Sequence, residues 1–132
     1  MAPMKDIKLT GLALTKLYKE IGKDPALEKI LVRFYEKMSQ DVMIGFFFSN
    51  HDTHKIALHQ KAFLLKAWGA TKSYQGKAPA EAHAPLPPIL AGHFDRRLVI
   101  LAETLREFDV SEENIQIWVR FEDKFRSAVQ QS

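Results

Sequence analysis

Residues 24–39 read Asp24-Pro25-Ala26-Leu27-Glu28-Lys29-Ile30-Leu31-Val32-Arg33-Phe34-Tyr35-Glu36-Lys37-Met38-Ser39. Leu27, Ile30, Leu31, Phe34, Tyr35 and Met38 fall at offsets 0, 3, 4, 7, 8 and 11, the spacing of one face of an α-helix. Asp24 followed by Pro25 predicts an N-cap and a first helical residue. The stripe holds one polar group, the Tyr35 phenol. A buried phenol needs a hydrogen-bond partner, because leaving it unpaired costs about 1–3 kcal/mol. Either a backbone group or water satisfies it, or it points at a polar ligand in an apolar pocket.

The same period continues on both sides. Leu12, Leu14, Leu17, Tyr18 and Ile21 predict a short first helix ending at Gly22. Gly45-Phe46-Phe47-Phe48 reads as a tight turn. Asp52 or Thr53 caps a helix over roughly 53–68, with Ile56, Gln60, Phe63, Leu64 and Ala67 inward and His59 at the margin beside Lys55 and Lys66. Gly69 ends it. Residues 69–79 read as a loop, followed by a helical turn carrying His83 that Pro85, Pro87 and Pro88 stop. A helix over roughly 93–108 turns Phe94, Leu98, Leu101, Leu105 and Phe108 inward and Val99 and Ile100 outward. Ser111 caps a last helix whose apolar side holds Ile115, Trp118, Phe125 and Val129. Acidic residues fall on the predicted outer faces. No segment alternates with the period of a strand, so the class is all-α. The 132 residues form one domain, with 1–10 as a flexible N-terminal extension.

Composition narrows the function. With 19 basic and 16 acidic residues the net charge is +3, and no basic face or nucleic-acid motif accompanies it. The absence of cysteine excludes disulfides, thiolate catalysis, iron–sulfur clusters and cysteine-ligated zinc. The apolar run Val42–Phe48 is far shorter than the ~20 residues of a membrane span, and the N-terminus has no signal-peptide pattern. A cytoplasmic protein is expected. No phosphate loop, nucleophile elbow or H-E-x-x-H motif is present.

Chemistry therefore rests on a few polar residues in apolar company. His83 can be the axial ligand of a haem iron through a neutral imidazole nitrogen, or a solvated histidine near a helix end. Gln60, like Tyr35, sits on an apolar stripe and could face a polar ligand. His59 could face solvent, pair with an anionic cofactor edge, or ligate iron opposite His83. His51-Asp52-Thr53-His54 matches no standard metal spacing, and His93 reads as a helix-start residue.

Taken in order, these segments resemble a truncated, two-on-two globin of bacterial type, from about Leu17 to Phe125. The segments are Leu17-Tyr18-Lys19-Glu20-Ile21-Gly22, Arg33-Phe34-Tyr35-Glu36, Gly45-Phe46-Phe47-Phe48, His59-Gln60-Lys61-Ala62-Phe63-Leu64, Gly69 with Tyr74-Gln75-Gly76, Ala82-His83, and His93-Phe94-Asp95. The resemblance implies a two-on-two helical sandwich around haem b. His83 would be the proximal iron ligand and Tyr35 and Gln60 the distal hydrogen-bonding pair. Phe48, or Phe47 in the alternative register, would wedge against the haem. Phe63 would pack on it and line a ligand route, with Tyr74 among the cofactor contacts. Ile56 stands where many globins place a distal histidine or glutamine. The His59-Gln60 pair is similar to the first, cyanobacterial subgroup, in which the histidine can be a sixth ligand.

Ala82-His83-Ala84-Pro85-Leu86-Pro87 is similar to the third subgroup, which usually has tryptophan where this chain has Arg97. Arg97 could place a cation near the distal pocket, though outward snorkelling is favoured. The expected ligands are dioxygen, nitric oxide or carbon monoxide, with nitric oxide dioxygenation if an outside reductase serves the protein. The haem would be non-covalent, since no C-x-x-C-H exists. A monomer or weak dimer is expected, with no nucleic-acid or membrane partner. Two alternatives stand beside this reading: a bis-histidine electron carrier or redox or gas sensor through His59, and a haem-free helical interaction module.

Overall fold

The computed structural model describes residues 9–70 and 90–126. All regular structure among them is helical: α1 (Gly11–Ile21), α2 (Lys23–Ser39), a 3₁₀ turn (Gly45–Phe48), α3 (Thr53–Ala67), α4 (Ala91–Glu107) and α5 (Glu112–Asp123). Helix α2 is the hub, packing against α1, α3, α4 and the 3₁₀ turn, while α5 closes the core against α1 and α4. No helix among the described residues is long and apolar enough to cross a membrane.

The helix ends follow local chemistry. Thr10 caps α1 by accepting from the Ala13 N–H, Asp52 caps α3 by accepting from His54 and Lys55, and Ser111 caps α5 by accepting from Asn114. His93 caps α4 from inside, its Nδ1 accepting the Leu90 N–H at 3.1 Å. The start of α2 departs from the predicted Asp24-Pro25 cap. Gly22 adopts φ +114°, and a Cβ there would lie 2.9 Å from the Cβ of Ala26. That left-handed turn lets α2 begin at Lys23, directly after α1. Asp24 then lies inside the first turn, and its carboxylate accepts a hydrogen bond from the Tyr18 hydroxyl of α1. Pro25 is tolerated because first-turn N–H groups have no helical partner.

The stripe of α2 is buried in full: Leu27, Ile30, Leu31, Phe34, Tyr35 and Met38. Leu17, Leu64, Leu101, Leu105 and Trp118 complete the core around it. The Trp68 and Trp118 rings meet edge to face with centroids 4.8 Å apart. Four inward or outward expectations are corrected. Leu12 is 83 % exposed, because it lies about 200° around the helix from Leu14, which faces inward. Ala67 is exposed, because Trp68, four residues beyond Leu64, takes the inward place. Phe108 is partly exposed at the cap of α4. Ile100 is buried while its neighbour Val99 is exposed. Helix α4 is covered by both α2 and α5, so its apolar arc is wider than a single stripe.

Candidate functional site

Tyr35 is 5 % exposed in the middle of α2. Its ring lies 5.3 Å from that of Phe34 and 5.9 Å from that of Phe48, the latter edge-on at 77°. Burial pushes the phenol pKa up, and the Arg97 guanidinium opposes this. The group therefore stays a hydrogen-bond donor through the physiological range.

The corner carrying Phe48 is held by a carboxylate. Asp41 follows α2 and accepts from the Met43 and Ile44 N–H groups at 2.9 and 3.2 Å. Arg96 of α4 donates to the same side chain through Nε and a terminal nitrogen, at 2.9 and 2.7 Å. This guanidinium, by its hydrogen bonds, holds the Asp41 carboxyl below the usual carboxylate range. Gly45 is required at the bend, because a Cβ would lie 2.7 Å from the Ser39 carbonyl oxygen. The corner places Phe48 against Tyr35 and Phe47 against Phe94 and the His93 ring.

On α3, Ile56, Gln60 and Phe63 are all half-buried, and Phe63 meets the Phe125 ring edge-on at 5.6 Å. His59 is exposed, at the margin the sequence places it on. His83 and Tyr74 lie outside the described residues. No group of three or more histidine, aspartate or glutamate side chains among the described residues could hold a metal ion, His51 and His54 included.

Two further residues reach Tyr35. Arg97 of α4 does not extend outward: its side chain is 19 % exposed and lies over two rings of α2. Its Cζ is 5.0 Å from the Phe34 centroid and 5.8 Å from the Tyr35 centroid. One terminal nitrogen approaches Met38 Sδ at 3.7 Å, and the other meets Glu122 Oε2 at 3.4 Å. Glu122, on α5, is buried, contrary to an outer-face assignment. Its second oxygen accepts from Trp118 Nε1 at 3.3 Å. Burial disfavours the Arg97 charge, but the paired Glu122 carboxylate opposes this and the pKa is raised. A signal for Glu122 existed in the sequence. It sits seven residues after Ile115 and four after Trp118, on the apolar side of α5.

Residues 16–131 match the bacterial-like globin family. The chain belongs to the bacterial-like globins. Within that family it is similar to the truncated haemoglobins. It is 37 % identical over 105 residues to the group 1 truncated hemoglobin GlbN of Synechocystis sp., covering 77 % of this chain and 85 % of that one. A group 1 truncated hemoglobin of Tetrahymena thermophila is 31 % identical, over 75 % of this globin and 81 % of its own length. Among solved structures, the truncated hemoglobin of Tetrahymena pyriformis in its Fe(III) form superposes with a TM-score of 0.80 at 28 % identity, over 88 % of this chain and 98 % of that one. The 2/2 hemoglobin of Synechococcus sp., in the cyanomet state with covalently attached heme, gives 0.75 at 31 % identity, over 86 % and 96 %. The fold is thus the two-on-two globin sandwich, and the family's activity is haem-based gas binding. The described residues suit that cofactor. A buried phenol lies against Phe48, and Phe47, Phe48, Phe63 and Ile56 keep part of their apolar surface uncovered, as a flat apolar macrocycle requires.

Proposed function

We propose that this globin binds haem b without a covalent link and uses it to hold a diatomic gas reversibly. Dioxygen is the first ligand, with nitric oxide and carbon monoxide as others. The observation that carries this reading is the Tyr35 phenol, buried against Phe48 in a chain of the globin family. The absence of cysteine leaves no thioether route to attachment.

Haem, when bound, would supply an iron that takes up a gas reversibly. His83 provides the neutral imidazole nitrogen. Tyr35 would donate its O–H to the gas, and Gln60 would add an amide N–H. Phe48 wedges against the macrocycle, Phe47 supports it, and Phe63 lines the ligand route. Ile56 keeps the neighbouring wall apolar. Tyr74 would contact the cofactor edge, and exposed His59 would pair with a propionate. Oxidation of nitric oxide to nitrate at this site would take both added oxygen atoms from dioxygen, the oxidant, and would need one electron per turnover from an outside reductase to restore the ferrous state.

Haem-loaded, reduced protein should show a Soret band that shifts under carbon monoxide and returns when the gas is flushed out. Before gas is added its spectrum should be five-coordinate. A six-coordinate spectrum that disappears in His59→Ala would move the reading to a bis-histidine carrier. Failure to take up haem would leave the interaction-module alternative.

A further inference from the structure

We propose that Arg97, held by Glu122, is a specificity-determining residue that favours anionic ligands over neutral ones on the Tyr35 side of the pocket. This inference rests on the haem reading above.

Three helices fix the guanidinium in place. Phe34, Tyr35 and Met38 of α2 pack on it, α4 carries it, and Glu122 of α5 pairs with it. Glu122 is itself anchored, because Trp118 Nε1 donates to its other oxygen. The charge therefore cannot follow a counterion away from the pocket. The pair is also oriented, with the cation on the Tyr35 side and the carboxylate on the Trp118 side. A ligand hydrogen-bonded to Tyr35 is closer to the positive end than to the negative end. In a largely buried setting a difference of a few ångströms is not screened away. For a ligand bearing a full negative charge it amounts to about tenfold in affinity. For carbon monoxide, which carries almost no charge, it amounts to little.

The guanidinium also outlasts any pH change. It stays protonated wherever the protein is folded, so the bias towards anions is permanent. Gln60 and Tyr35 supply neutral donors, which discriminate by hydrogen bonding alone. Arg97 adds discrimination by charge.

The test compares azide binding to the ferric protein with carbon monoxide binding to the ferrous protein. Arg97→Met keeps the length and apolar stem of the side chain. It should raise the azide dissociation constant about tenfold and leave that of carbon monoxide within about threefold. Glu122→Gln keeps an acceptor for Trp118 while removing the opposing charge, and should tighten azide binding severalfold. A residue that merely held the fold together would not move the two ligands apart, nor would removing its partner improve binding. Equal losses of azide and carbon monoxide in Arg97→Met, with a normal Soret band, would overturn this inference alone. So would a Glu122→Gln protein that binds azide no better than wild type, and that arm stands even if Arg97→Met does not fold. A wild-type protein that shows no Soret band with haem would overturn the underlying haem reading and this one with it.

Discussion

Replacing Tyr35 with phenylalanine should speed dioxygen release by roughly 10- to 100-fold while leaving haem uptake unchanged. The variant removes one oxygen atom and keeps the ring, so the contacts with Phe34 and Phe48 survive. What is lost is a donor to a ligand that carries partial negative charge. Hydrogen bonds to charged groups contribute about 1.5–3 kcal/mol, and each 1.4 kcal/mol is about tenfold. The loss should fall on dissociation, since the bond forms only after the gas is bound. Release into excess carbon monoxide, followed by stopped-flow absorbance, measures it. An unchanged rate would mean that the phenol does not face the ligand. Gln60 would then be the donor to test next.

The second large effect concerns stability. Glu122→Leu should cost about 3–5 kcal/mol, because it leaves the Arg97 charge buried without its partner. Trp118 Nε1 loses its acceptor in the same step. The double variant Arg97→Met with Glu122→Leu should recover most of the loss, since replacing a buried ion pair by apolar side chains is often neutral or favourable. Urea unfolding of the wild type, both single variants and the double variant closes the cycle. A Glu122→Leu protein less than about 1 kcal/mol below wild type would show that the pair is hydrated rather than buried.

The helices were legible because they obey one period. The α2 stripe from Leu27 to Met38 is buried as its spacing requires, and the Asp52 and Ser111 caps hold the N–H groups expected of them. Legibility failed where two elements share a residue. Asp24 looks like a cap by its neighbour Pro25, yet the left-handed turn at Gly22 moves the helix start and commits Asp24 to Tyr18. Ile100 reads as outward from one stripe, but α4 faces two partners.

The candidate site divides in the same way. Tyr35 could be singled out because a phenol on an apolar stripe is costly unless it has a use. For Phe48 the aromatic run alone does not choose the register, since Phe47 stands as the alternative. Arg97 is misplaced by its own helix, since an arginine at a stripe margin is expected to snorkel outward. Its direction is decided by Glu122, 25 residues later, and by the ring faces of α2. Asp41 and Arg96 escaped for the same reason: their pairing spans 55 residues and no local period announces it.

In the proposed site one histidine, His83, holds haem. The direct measurement is a haem titration of the wild type and of His83→Gly, followed by the ferrous spectrum with and without free imidazole. The wild type should bind one haem per chain with a five-coordinate ferrous spectrum. His83→Gly should lose that spectrum and regain it when imidazole fills the space the side chain left. A His83→Gly protein that keeps the wild-type spectrum without imidazole would contradict the account.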